Sequence, residues 1–198
     1  QFSPRILLVD TIGFIDDIPS DLLDAFSATL EESIECDLLL LLVDVGDDVD
    51  EMERKLRTSI RELTERALDV DETSIMERIQ LVLTKCDTVE RETLEDKQAM
   101  LSEHGFSNPI IISSHSGEGI AELQSVVLHT LFGPKRTLII HNPEPNQMAS
   151  EAILSRVFDA VYVHEHTRGK NGIEVRISAS DETIAILMSN YGQRIELK

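Results

Sequence analysis

The chain has no tryptophan, and aromatic residues make up only 4% of its 198 positions. A core built from it must be aliphatic, held by Leu, Ile and Val. It has two cysteines, Cys36 and Cys86, in no ligand spacing. That argues against a disulfide framework and a cysteine zinc site, and for a reduced cytoplasmic setting. No apolar run approaches the ~20 residues of a membrane span. The longest, Leu38–Val43, has strand length. The start shows no secretory signal pattern. It begins with Gln rather than Met, so a segment of a longer product is expected. Positive charge is scarce, with 18 Lys and Arg against 37 Asp and Glu, a formal net charge of −19. That balance opposes general binding to phosphate backbones and favours a self-repelling, monomeric surface with no membrane partner.

What is present alternates. Apolar strand-like runs occur at Ile6–Val9, Leu38–Val43, Ile79–Leu83 and Pro109–Ile112. Helical patterns separate them at Asp21–Glu35, Val49–Leu68, Arg91–His104 and Glu118–Phe132. In Val49–Leu68 the residues Val49, Met52, Leu56, Ile60, Leu63 and Ala67 form one stripe. Glu51/Lys55, Glu53/Arg57 and Glu62/Arg66 pair on its other face. Strand alternating with helix predicts an α/β layer with a mostly parallel, doubly wound sheet. Gly133-Pro134 then stops the last helix, and residues 134–136 read as a linker. Beyond it come a strand at Thr137–His141, a helix at Gln147–Asp159 and strands at Ala160–His166 and Gly172–Ser178. A helix at Asp181–Asn190 and a strand at Arg194–Leu197 close the chain. That order, β-α-β-β-α-β, is the ferredoxin-like arrangement of a small α+β domain. The expected domains are residues 1–133 and 137–198.

Three motifs fall at ends of the parallel strands, where α/β sheets bind ligands. The first is Asp10-Thr11-Ile12-Gly13-Phe14. A carboxylate there can hold a magnesium-bound water, so Asp10 is a metal candidate through water. Glycine lets the backbone N–H approach a terminal phosphate. The second is Thr84-Lys85-Cys86-Asp87. A carboxylate accepts from two donors at once, and guanine presents two side by side where adenine does not. The Lys85 stem can cover the face of the base. Thr84 stands where Asn is commoner, so it would tie the loop with fewer hydrogen bonds. The third is Ser113-Ser114-His115, followed by Ser116-Gly117-Glu118. Backbone N–H groups of that turn can reach the guanine carbonyl oxygen. Each motif alone also fits an ordinary polar loop after a strand. His164 and His166 carry a weak metal possibility, and Asp16, Asp17 and Asp21 lack the spacing of a calcium loop.

Taken together, the motifs resemble the carboxyl part of a translation-factor-class P-loop GTPase, and more narrowly the HflX family. The run Asp10–Pro19, continued through Asp24–Glu32, carries the likeness, with Thr84–Asp87 and Ser113–Glu118 at the expected places. The resemblance implies GTP or GDP binding with Mg2+ and GTP hydrolysis stimulated by the large ribosomal subunit, in ribosome splitting or rescue. It implies nucleotide contacts at Asp10, Thr11, Ile12, Gly13, Thr84, Lys85, Cys86, Asp87, Ser113, Ser114 and His115. It gives Gly13 and Phe14 a catalytic place in the switch. Phe14 has no hydrogen-bonding group, so it cannot orient the attacking water as a glutamine would.

The departures matter equally. No G-x-x-x-x-G-K-[ST] pattern occurs in the 198 residues. The phosphate cradle, its lysine and its magnesium-binding hydroxyl are therefore missing from them. The family's first sheet strand, which would lie between Ile6–Val9 and Leu38–Val43, is missing too. Two unpaired apolar edges are expected, with weak GTP binding by this segment. The alternative is a non-catalytic interaction module derived from a GTPase. No sequence-specific nucleic-acid binding is expected, because Tyr162 is the only aromatic in the C-terminal strands.

Overall fold

A computed structural model of the chain describes residues 4–11, 36–66, 72–106, 108–141, 147–169 and 172–198. The expected helix Asp21–Glu35 lies outside them, as do Ile12, Gly13 and Phe14. Two compact units divide the chain: Leu8–Gln124, and Gln1–Leu7 with Ser125–Lys198.

In the first unit, β1 (Leu39–Asp44), β2 (Ile79–Thr84) and β3 (Ile110–Ile111) form a parallel sheet in that order. Parallel neighbours need long crossovers. Helices α1 (Val49–Arg66) and α2 (Glu72–Arg78) lie on the first, and α3 (Arg91–Glu103) on the second. The core is aliphatic, as the composition requires. Leu41, Val43, Leu81 and Leu83 pack with Met52 and Leu56 of α1 and with Leu101 and Phe106. The α1 stripe reads as expected at Met52, Leu56 and Leu63, whereas Val49 is 41% exposed in the first turn. Asp48 caps that helix, its carboxylate accepting from the Glu51 N–H at 2.9 Å. Ion pairs Lys55–Glu51 (3.5 Å) and Arg57–Glu53 (2.6 Å) line the wet face.

Helix α2 was not legible in the pattern. Its seven residues are too few to show a period, and one side chain, Ile75, packs on Leu63 in a separate small cluster.

The segment Ile6–Val9 is a correction. It forms no strand, and Leu7 and Leu8 are 87% and 83% exposed. A parallel strand exists only beside a partner that completes its ladder. Strand β1 is the outer strand of its sheet and does not pair with Ile6–Val9. Leu42 on that edge is 60% exposed. Of the two unpaired apolar strand edges expected from the sequence, only that of β1 is found among the described residues, because Ile6–Val9 is not a strand.

The second unit carries a four-stranded antiparallel sheet in the order β5-β6-β4-β7. The strands are β4 (Lys135–His141), β5 (Tyr162–Gly169), β6 (Gly172–Ser178) and β7 (Ile195–Leu197). Helix α4 (Ile120–Phe132) precedes them, and α5 (Gln147–Ala160) and α6 (Asp181–Tyr191) connect them. One face of the sheet packs on α5 and α6 through Leu138, Ile140, Val175, Ile177, Ile153, Val157, Ile184 and Leu187. The stretch read as a linker contributes Lys135 and Arg136 to β4, in register with Ser178 and Ile177. Strand β5 runs on to Gly169, three residues beyond the strand end expected at His166. Ser180 caps α6, accepting from the Thr183 N–H at 3.2 Å.

A buried cation ties the first unit. Lys97 of α3 is 5% exposed, and its ammonium donates to the carbonyls of Val45 and Asp47 in the loop after β1. An unmet carbonyl in that position costs more than an ordinary hydrogen bond returns. Lys97→Met should lower unfolding free energy by about 2–3 kcal/mol in urea titration, on the scale of hydrogen bonds to charged groups. A loss below about 0.5 kcal/mol would mean that water satisfies those carbonyls instead.

Candidate functional site

Two loops leave the carboxyl ends of β2 and β3 and join. Thr84 closes β2, and its hydroxyl donates to the Val43 carbonyl of β1 at 3.2 Å. The Val45 N–H returns a bond to the Thr84 carbonyl at 3.1 Å. Threonine thus supplies one side-chain tie, fewer than an amide could. Lys85 then turns left-handed, with φ 61° and ψ 36°. A side chain with a Cβ is uncommon there, so the turn must be held from elsewhere. Thr88 holds it by donating twice to the Lys85 carbonyl, from its N–H at 3.0 Å and its hydroxyl at 2.8 Å. The Cys86 N–H reaches across to the Ile112 carbonyl at 3.2 Å.

The Lys85 ammonium pairs with Asp44, at the end of β1. The other Asp44 oxygen accepts from the Gly46 N–H at 2.8 Å. Burial works against ionisation of Asp44. The Lys85 and Gly46 hydrogen bonds outweigh it and hold the carboxyl below its ordinary range. The hydrogen bond to Asp44 raises Lys85 correspondingly. Asp44 is a site residue that sequence reading passed over. Its signal is the one that marks Asp10, a carboxylate at the end of an apolar strand run.

Ser113 is the joint between the loops. It is fully buried, and its Oγ accepts from the N–H groups of His115 (3.2 Å) and Ser116 (3.0 Å). A hydrogen bond from the same hydroxyl holds Asp87 below the usual carboxylate range, with the Asp87 N–H and the nearby His115 adding to it. The turn closes through Ser113 N–H to Glu118 O at 3.0 Å and Gly117 N–H to Ser113 O at 2.9 Å. Gly119 is required there: at φ +70° its absent Cβ would lie 1.9 Å from the Ile111 carbonyl oxygen. Cys86 is buried beneath the loop, and burial pushes its thiol up, with Glu118 adding to the shift. It packs and does not react.

The structure therefore brings Thr84, Lys85, Cys86 and Asp87 together with Ser113, and it leaves Asp87, Ser114 and His115 exposed on the same rim. Asp87 is an ionised, solvent-facing carboxylate with acceptor capacity beyond its bond to Ser113, suited to a ligand presenting adjacent N–H donors. Asp10 and Thr11 are exposed in a segment without strand structure, and no hydrogen bond among the described residues joins them to this rim. Among those residues no group of three or more His, Cys, Asp or Glu could hold a metal ion, His164 and His166 included.

No protein-family model matches the chain. Individual relatives do. It is 34% identical over 188 residues to GTPase HflX of Thermofilum pendens, covering 94% of this chain and 42% of that protein. It is 31% identical over 141 residues to GTPase HflX of Methanocaldococcus jannaschii, covering 70% of this chain and 33% of that protein. Over 151 residues it is 33% identical to GTPase HflX of Thermococcus kodakarensis, covering 71% and 32%. The chain thus spans between about a third and two fifths of the length of these curated relatives. Likeness over nearly its whole length, under one name in every relative cited, carries the conclusion that the chain belongs to the HflX family.

Proposed function

We propose that the rim of Asp87, Lys85 and the Ser113–His115 turn is the guanine-reading half of a GTPase site. The observation that carries this reading is the joining of the two loops, with the Cys86 N–H on the Ile112 carbonyl at 3.2 Å, which sets the exposed Asp87 beside a turn rich in backbone N–H groups that Ser113 Oγ organises. Asp87 would accept from the ring N–H and the exocyclic amine of guanine. The turn would meet the base oxygen. Lys85, anchored at its tip by Asp44, would lay its aliphatic stem along the base. Thr84, Cys86 and Ser114 shape the loops around these contacts.

Phosphate and metal chemistry falls to Asp10, Thr11, Ile12, Gly13 and Phe14 in this reading. The described residues do not by themselves make a magnesium site. Asp10 would reach Mg2+ only through water, with phosphate oxygens supplying the remaining ligands. The full activity of the family, GTP hydrolysis on the large ribosomal subunit, is proposed for the whole protein. For these 198 residues the reading predicts base recognition with little hydrolysis. Residues 1–133 would form the GTPase part and residues 137–198 a ferredoxin-like domain. The sheet order β5-β6-β4-β7 with two helices on one face supports the second assignment.

The test is selectivity. In an NMR titration with millimolar GDP, amides of Lys85–Thr88 and Ser113–Ser116 should shift, and ADP should leave them unmoved. Equal response to both nucleotides, or to neither, defeats the reading. Asp87→Asn should weaken the GDP response at least about tenfold and favour xanthosine diphosphate, whose base exchanges a donor for an acceptor. A fluorescent GTP titration of the chain should show affinity weaker than micromolar.

The Ser113 bond makes a separate prediction about pH. A carboxyl depressed in the folded chain contributes stability above its unfolded pKa and loses it as pH falls through the folded one. Ser113→Ala should raise the Asp87 titration toward the ordinary carboxylate value, read by carboxyl NMR. An unmoved titration would remove Ser113 as its cause.

A further inference from the structure

Val45, Gly46, Asp47 and Asp48 join β1 to α1. Three lysines hold the turn that these residues make with Asp44. Lys85 takes the Asp44 carboxylate. Lys55 takes the Asp47 carboxylate at 2.7 Å from the wet side, with 43% of its side chain exposed, where such a pair is worth little. Lys97 comes from beneath, buried, and its ammonium donates to the carbonyls of Val45 and Asp47.

A rim loop could meet those carbonyls with water, whereas a buried lysine gives up hydration and rotamer freedom to do it. What the lysine adds is direction. The Val45 carbonyl and the Gly46 N–H belong to one planar peptide unit and point opposite ways in its trans form. Drawing the carbonyl onto Lys97 therefore aims the N–H at Asp44, whose Oδ1 accepts it at 2.8 Å. The Val45 N–H meets the Thr84 carbonyl at 3.1 Å and the Asp47 N–H the Asp44 carbonyl at 3.3 Å, so the peptide between them has little room to turn otherwise. Asp44 so fixed presents its other oxygen to the Lys85 ammonium. The fit is close: a Cβ on Gly46 would lie 3.1 Å from Asp44 Oδ1 and 3.7 Å from Thr88 Oγ1. Thr88 is the residue that holds the left-handed turn at Lys85.

We propose that Lys97 is a positioning residue for base recognition, acting through the Val45–Gly46 peptide on Asp44 and through Asp44 on the Lys85 stem. The proposal rests on the guanine reading of the rim. Lys97 touches no ligand in it and instead sets the direction of the side chain that lies along the base. A lysine that served the core alone would change stability and leave the base response of the folded chain as it was.

The test separates these roles in the whole chain, with GDP titrations read at the amides of Lys85–Thr88 under conditions where circular dichroism shows each variant folded. Lys97→Met should weaken the GDP response at least about fivefold, the scale on which members of one hydrogen-bond network couple. Ile75→Ala opens a cavity beside Leu39 and Ile79, at the amino ends of β1 and β2 and away from the rim, and should leave the response within about twofold. Carboxyl NMR supplies the second readout. Lys85 and Lys55 are the cations that act on the Asp44 charge. Lys97→Met should nevertheless raise the Asp44 titration toward the ordinary carboxylate value, by moving the loop, and Ile75→Ala should leave it in place. Gly46→Ala changes no charge and crowds Asp44 directly, so it should reproduce both effects, and it stands in for Lys97→Met if that variant does not fold. An unmoved Asp44 titration overturns the proposal, and so does an equal loss of GDP response in Ile75→Ala. A parent chain that binds GDP no better than its Lys97 variant defeats this role alone. A parent chain that ignores GDP defeats the guanine reading and this role together.

Discussion

The six-residue parallel ladder between β1 and β2 sets where everything else at the rim can stand. It pairs Leu39 with Ile79 and ends by pairing Asp44 with Thr84. Because strand side chains alternate, a one-residue slip would send Leu41, Val43, Leu81 and Leu83 to the wrong face. All four belong to one core cluster, so the register is locked by burial. The lock delivers two strand ends side by side. Asp44 can then reach Lys85, and Thr84 can reach Val43. Lys97 reinforces the same place from α3 by satisfying the carbonyls of Val45 and Asp47. The rim is built on the core's register, and the loops add only the last hydrogen bonds.

That dependence explains which parts were legible in the sequence. Thr84–Asp87 and Ser113–His115 follow apolar runs whose strand character needs only local pattern, and the structure joins them through the Cys86 N–H and the Ile112 carbonyl. The same local pattern misled at Ile6–Val9. Four consecutive apolar residues fix a preference for burial, but a strand also needs a partner edge, which local pattern cannot supply. Asp44 was passed over for a related reason. Its role comes from Lys85, 41 positions away in sequence and next to its ladder partner Thr84, and not from its neighbours. Lys97 shows the limit most sharply. On a helical pattern a lysine reads as solvated surface, and only the arrival of two carbonyls from 50 and 52 residues away makes it a core residue.

The second unit was read more fully because its contacts are more regular. Strand β6 alternates Ile173, Val175 and Ile177 inward with Glu174 and Arg176 outward, as its sequence announces. The boundary toward Lys135 was harder. Gly133 and Pro134 end a helix, yet the strand follows at once, because Lys135 and Arg136 find ladder partners in Ser178 and Ile177. Gly133 itself is fixed by crowding: at φ +99° a Cβ would lie 2.7 Å from the backbone of Ala179 and Ser180. Helix end, tight turn and strand start are compressed into a few residues where composition alone reads as linker.

Charge is distributed with the same economy. Much of α1's acidity is exposed and paired with its own Arg and Lys, where it costs little and does little. Other carboxylates hold structure through a named donor, as Asp44 does with Lys85 and the Gly46 N–H and Asp48 with the Glu51 N–H. The cations follow the same division. Lys85 and Lys97 are committed to oxygens within the first unit, whereas Lys135, Arg176 and Lys198 sit on an uncovered sheet face with exposed partners or none. A net charge of −19 would suppress any diffuse attraction to polyanions. Anion recognition by such a chain therefore has to be local, on a face where cations are crowded and carboxylates are outnumbered. On the antiparallel sheet the cations are instead interleaved with carboxylates, Arg136 with Asp181, Arg176 with Glu165 and Lys198 with Glu174.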